Sequence, residues 1–113
     1  MSGSSSARKG ANGERELAAV LREYGYNVER GGSMCFGEVP DLTGLPGVHI
    51  ECKRVERLNV SEAMKQAQRD SELFKDGAPA VFHRRSRESW LVTMRLADWI
   101  ELYRARDTVS INP

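Results

Sequence analysis

A chain of 113 residues has the length of one domain with a modest core. Hydrophobic content of 40% and charged content of 29% suit a soluble globular protein, and the net charge of +1 excludes a uniformly basic surface, so affinity for a polyanion must come from a local patch. No apolar run approaches membrane-spanning length, and Met1 to Ala11 lacks the apolar centre of a signal peptide. The two cysteines, Cys35 and Cys52, have no metal-ligand spacing, and a reducing, cytoplasmic setting is expected.

The segment "MSGSSSARKGA" reads as a flexible Ser/Gly-rich lead-in over residues 1–11, ahead of one domain over 12–113. A first helix is predicted from Asn12 to Tyr24, where Leu17, Val20, Leu21 and Tyr24 recur at helical spacing and Gly25 supplies the stop. One turn before Leu17 the same stripe carries Glu14. A carboxylate on a core-facing stripe is costly unless paired; the bland alternative is a wet first-turn acid favoured by the helix dipole.

Tyr26 to Arg30 alternates as a strand, and "GGSMCFGEV" from Gly31 follows as a loop. A short strand is expected near Val39 to Leu42, a tight turn at "TGLPG", and a strand from Val48 to Arg54. In that strand Val48, Ile50 and Cys52 face one way, while His49, Glu51 and Lys53 face the other. A second helix is predicted from Ser61, as cap, to Phe74, with Ala63, Met64, Ala67 and Phe74 on one side and Gly77 ending it. Gln66 and Gln68 read as a solvated face of this helix, and His49 as a half-exposed strand residue.

Ala80 to His83 and Trp90 to Met94 form two apolar strands around a hairpin whose tip carries Arg84, Arg85 and Arg87. Such a tip suits phosphates, and suits a solvated turn equally well. Leu96 to Arg104 reads as a last helix with Trp99 and Tyr103 on one stripe, followed by a tail or short strand; Trp90, Trp99 and Tyr103 read as core or interface aromatics. The order α-β-β-β-α-β-β-α implies an α/β fold with a central mixed sheet flanked by helices.

Asp41 and Glu51 stand on either side of the tight turn, so a hairpin-like pairing would bring their carboxylates together. Two adjacent carboxylates repel unless a cation or proton intervenes, and oxygen ligands favour Mg²⁺, with Mn²⁺ as substitute, over zinc. Lys53 could then hold a water or neutralise charge at a phosphate. A surface ion pair between Glu51 and Lys53 is the commoner explanation of that spacing taken alone.

Pro40-Asp41 followed by Glu51-Cys52-Lys53 resembles the signature of the PD-(D/E)XK nuclease superfamily. "KGANGERELAAVLREYGYNVERGGS", Lys9 to Ser33, further resembles the start of archaeal-type and phage Holliday junction resolvases. The resemblance implies a restriction-endonuclease-like fold and a Mg²⁺-dependent endodeoxyribonuclease that cuts four-way DNA junctions as a symmetric homodimer. It implies Glu14, Asp41, Glu51 and Lys53 as the catalytic set. Asp41, Glu51, Glu14 and the Cys52 backbone carbonyl would be the metal ligands, and Arg15, Arg30 and Ser33 would lie near the DNA. Cys52 departs from the branched aliphatic usual at its position. The rivals are a superfamily member acting on flaps, nicks or duplex, and a catalytically silent DNA-binding module.

Overall fold

The computed structural model of the chain describes residues 2–31 and 40–111, with side chains over 10–31 and 40–107. Its elements are α1 (Ser2–Glu23), β1 (Glu29–Arg30), β2 (Leu42–Thr43), β3 (Val48–Arg54), α2 (Val60–Phe74), β4 (Ala78–Arg84), β5 (Leu91–Met94) and α3 (Leu96–Ile111). The predicted order holds throughout.

β3 and β4 pair in parallel through the α2 crossover, and β5 pairs antiparallel with β4, which gives a mixed sheet of order β3-β4-β5. Alternation along β3 and β4 sends Ile50, Ala80 and Phe82 toward α1, where they meet Leu17 and Ala18. Val81 faces the other way onto Ala63 and Ala67 of α2. Both faces are therefore covered, as a parallel pair requires. The small residues Ala63, Ala67 and Ser71 form the buried side of α2 and let it lie close on the sheet.

Several boundaries differ from the sequence expectation. α1 begins at Ser2, so residues 2–11 continue the helix instead of leading into it. Once Asn12 to Glu23 is nucleated, each added residue needs only its own small propensity cost. The α1 end follows the prediction: Tyr26 N–H donates to Leu21 O and Gly25 N–H to Arg22 O, with Gly25 at φ +99°, a Schellman closure. β1 is shorter than Tyr26–Arg30, because Val28 N–H bonds to Tyr26 O and Val28 O accepts from Arg22 Nε, removing that backbone from a ladder. β2 starts after Pro40-Asp41, beyond the residue that lacks a donor.

The helix α2 is capped by Asn59, whose side chain accepts from Glu62 N–H at 3.1 Å, and not by Ser61. It closes at Lys75 in the left-handed region, ahead of Gly77. α3 runs to Ile111, past the expected end at Arg104 and through the expected tail. Trp90 packs against the core, but Trp99 and Tyr103 remain 47% and 44% exposed and stack on each other at 5.2 Å.

Candidate active site

Glu14 reaches the site because α1 lies unusually close to β3. Gly13 is buried there; a Cβ on it would sit 2.6 Å from Arg54 Cβ. Glu14 is thereby held half-buried beside Asp41, with Arg30 Nε donating to its Oε1 at 3.3 Å. Burial and the adjoining Asp41 carboxylate raise the Glu14 pKa, and Arg30 opposes them. The two neighbouring carboxylates repel each other, a conflict that a proton or a cation would relieve.

Asp41 does not arrive there by pairing with β3. The residue after it opens β2, which pairs antiparallel with β1 (Arg30 opposite Leu42), and Asp41 O accepts from Gly31 N–H at 2.8 Å. The expected hairpin of the Asp41 and Glu51 strands is thus replaced by a β1–β2 pair packed beside β3. Even so, Asp41 and Glu51 line one cleft of about 290 Å³, together with His49 and Asp70, and Leu73 and Phe74 form its apolar side.

On β3 the polar face is buried, contrary to the half-exposed reading of His49. His49 is 2% and Glu51 6% exposed. His49 Nδ1 lies 2.8 Å from Asp76 Oδ2 and its Nε2 lies 3.4 Å from Glu51 Oε1, with the ring stacked on Phe74 at 6.4 Å. Burial opposes the imidazolium, but the carboxylates of Glu51 and Asp76 outweigh it and leave the His49 pKa raised. Glu51 Oε2 stands 3.8 Å from Lys53 Nζ, which donates to Gln66 Oε1 at 2.9 Å. Atoms of His49, Glu51 and Asp70 lie within 4.8 Å of one another, the size of a metal site. With both His49 nitrogens directed at carboxylates, the donors left for a cation are oxygens, which suits Mg²⁺ better than zinc.

The other predicted residues fall in different places. Cys52 turns toward α1 and the core, and burial with the neighbouring Glu14, Glu16 and Glu51 carboxylates pushes its thiol up to about 12. Arg15 is exposed and donates to Asn12 at 3.0 Å. Ser33 lies outside the described residues. Arg84 is not an outward phosphate grip: it joins Arg54 on Glu16 and donates to Glu88 O. Arg85 pairs with Glu88 at 3.5 Å, and Arg87 stands exposed at φ 65°.

Sequence reasoning missed His49, Asp70 and Asp76 and set Gln66 aside as solvated. A usable signal existed for two of them. Gln66 and Asp70 are four apart on α2 and flank the Ala63-Ala67-Ser71 stripe, so a helix lying on that stripe holds both over β3.

No curated protein sequence matches the chain. Eight chains of known structure do. One is the Holliday junction resolvase Hjc from the archaeal hyperthermophile Archaeoglobus fulgidus, 22% identical over 76% of this chain and 72% of that one, with a TM-score of 0.56. That likeness shows the restriction-endonuclease-like fold. No described helix is long and apolar enough to cross a membrane. The family description archaeal Holliday junction resolvase (Hjc) matches residues 5–95, which span α1 through β5 and every acid of the cleft, and the chain belongs to that family.

Proposed function

We propose that the chain is a Mg²⁺-dependent endonuclease that cuts four-way DNA junctions as a two-fold symmetric pair in the cytoplasm. The observation that carries this reading is the cleft shared by Asp41, Glu51 and Asp70, with Glu14 pressed against Asp41 on one side and Lys53 beside Glu51 on the other. Asp41 and Glu51 would hold the cation, with the Cys52 carbonyl and Glu14 completing or adjoining its shell. When bound, Mg²⁺ supplies Lewis acidity toward a phosphoryl oxygen and acidity to a coordinated water.

The remaining work belongs to the chain. His49 and Asp76 fix the Glu51 carboxylate from behind. Gln66 and Glu51 hold Lys53 Nζ where its ammonium can donate to a phosphate oxygen as charge develops. Arg15, Arg85 and Arg87 offer exposed cations to flanking phosphates, and Arg30 can do so at the expense of its bond to Glu14. Each chain carries one such set, and opposed incision of a junction requires two, which a two-fold pair provides. The exposed Leu96, Trp99, Leu102 and Tyr103 of α3 belong to neither hydrophobic cluster and support burial against a second copy.

A mixed-subunit experiment tests this reading. Wild-type protein should cut two opposed strands of a synthetic four-way junction with Mg²⁺, spare linear duplex, and stop in EDTA. Asp41→Asn should bind the junction without cutting. Co-expressed wild-type and Asp41→Asn chains should accumulate single-strand nicks. Equal cutting of duplex and junction, or normal cutting by Asp41→Asn, would overturn it.

A further inference from the structure

Lys53, 3.8 Å from Glu51 of the acidic cleft, lines a second cleft. It has a volume of about 350 Å³ and lies between the segment following β3 and the start of α2, where Arg57, Asn59, Glu62, Gln66 and Arg69 surround it. What distinguishes this cleft is that two guanidiniums without an acid partner line it together with a lysine. Arg30 is matched by Glu14, Arg54 and Arg84 by Glu16, Arg85 by Glu88 and Arg95 by Asp98, while Arg15 and Arg87 lack an acid but stand exposed outside this cleft. Arg57 and Arg69 have no hydrogen-bond or ion-pair partner among the described residues, and both line this one cleft. The cleft's acid, Glu62, is 3.6 Å from Lys65 and lies in the first turn of α2.

A chain whose net charge is only +1 has thus placed two unmatched guanidiniums in one cleft with the lysine that pairs with Glu51. Like charges brought together repel unless an anion joins them, and a guanidinium's fork suits the paired oxygens of a phosphodiester. Asn59 and Gln66 do not supply the missing charge: Asn59 Oδ1 accepts from Glu62 N–H, and Gln66 Oε1 accepts from Lys53.

We infer that Arg57 and Arg69 form a phosphate subsite that holds the DNA backbone next to the phosphodiester being cut. The strand then runs from the acidic cleft, across Lys53, into the basic one. This rests on the nuclease reading of the first cleft. Arg57 and Arg69 are positioning residues: they fix the strand so that the adjoining phosphate sits over Glu51 and Lys53.

The test uses the full-length chain, a fluorescent four-way junction in EDTA for binding, and the same junction with Mg²⁺ for cutting. Arg57→Gln and Arg69→Gln should each weaken junction binding roughly tenfold. Each should also reduce the slope of log K against log salt by about 0.9, and the double variant by about 1.8. The cutting rate of fully bound junction should fall as well, which a merely structural role with intact binding would not produce. Arg57→Lys and Arg69→Lys should restore the salt slope while leaving the cutting rate low, because the charge returns without the fork. Both positions are exposed, so melting temperatures should stay at the wild-type value. A double Gln variant with the wild-type affinity and slope, beside a wild-type chain that cuts junctions, overturns the subsite alone. A wild-type chain that binds junctions with this salt slope but never cuts them overturns the nuclease reading and spares the subsite.

Discussion

Gly13→Ala tests how the helix-borne acid is positioned. A methyl at this buried position would stand 2.6 Å from Arg54 Cβ and 3.7 Å from Cys52 Sγ. Arg54 cannot simply swing away, because the clash is with the carbon nearest its backbone and its guanidinium is tied to Glu16 and Glu56 at 3.3 and 3.5 Å. Alanine gains about 1 kcal/mol of helix propensity over glycine, while overpacking a tight site costs about 1–3 kcal/mol. The net loss is about 1 kcal/mol, and a loss of that size lowers the melting temperature of a domain this small by about 4–6 °C. Function should suffer more than stability. Relieving the contact to ordinary carbon–carbon separation moves α1 away from β3 by roughly 1 Å, carrying Glu14 away from Asp41. Misplacement on that scale at a reacting centre costs on the order of 100-fold in rate. Urea unfolding and single-turnover junction cutting measure the two effects. A Gly13→Ala chain more stable than wild type and cutting normally would refute the close α1–β3 contact as the device that sets Glu14.

Two further outcomes follow from the ionisable groups. Cys52, with its thiol near 12, should resist alkylation: in a Cys35→Ser background at pH 8, iodoacetamide should label folded protein at least roughly a thousandfold more slowly than free cysteine, and urea should abolish the protection. Rapid labelling of the folded chain would contradict the burial. His49→Gln should cost about 1–3 kcal/mol at acidic pH. Because the folded pKa of His49 is raised, its contribution is complete below the ordinary value of about 6.5 and is lost as pH climbs through the folded value. The stability gap between wild type and variant in urea titrations should therefore narrow from pH 6 to pH 9; a constant gap would show that folding leaves the imidazole's proton affinity unchanged.

Local patterns carried the parts of the fold that depend on local chemistry. Alternation over Val48 to Arg54 gave β3 with its bounds, and the Leu17 stripe with Gly25 gave the face and end of α1. The placement of Glu14 on that stripe left open a paired carboxylate or a wet first-turn acid, and the side chain lies half-buried beside Asp41 with Arg30 upon it. What stayed hidden depends on packing between distant segments. Nothing local to His49 says that α2 will cover its face, since that follows from Ala63, Ala67 and Ser71 allowing close approach. Nor could the turn between Asp41 and Glu51 reveal that β2 takes β1 as partner, a choice set by Arg22 holding Val28 O and by Gly31 bonding to Asp41 O. Arg84 read as a free tip because Glu16, its partner, is 68 residues away.

The two halves of the site differ in how their charge is settled, and that difference locates the demand for a cation. On β3 a run of opposite and complementary groups passes from Asp76 to His49, Glu51, Lys53 and Gln66. A buried carboxylate is tolerable only when paired, and Glu51 has a partner on each oxygen. The α1 half has no such closure. Among the described residues Arg30 is the cation that offsets Glu14 beside Asp41, and burial together with the Asp41 carboxylate still raises the Glu14 pKa. A divalent cation drawn into the cleft would meet adjoining acids at the Asp41 side and an already oriented carboxylate at Glu51. Rigidity and unsatisfied charge are thus contributed by different elements. The strand's carboxylate is already held by its own partners, while the helix acid would supply the electrostatic incentive to bind a cation.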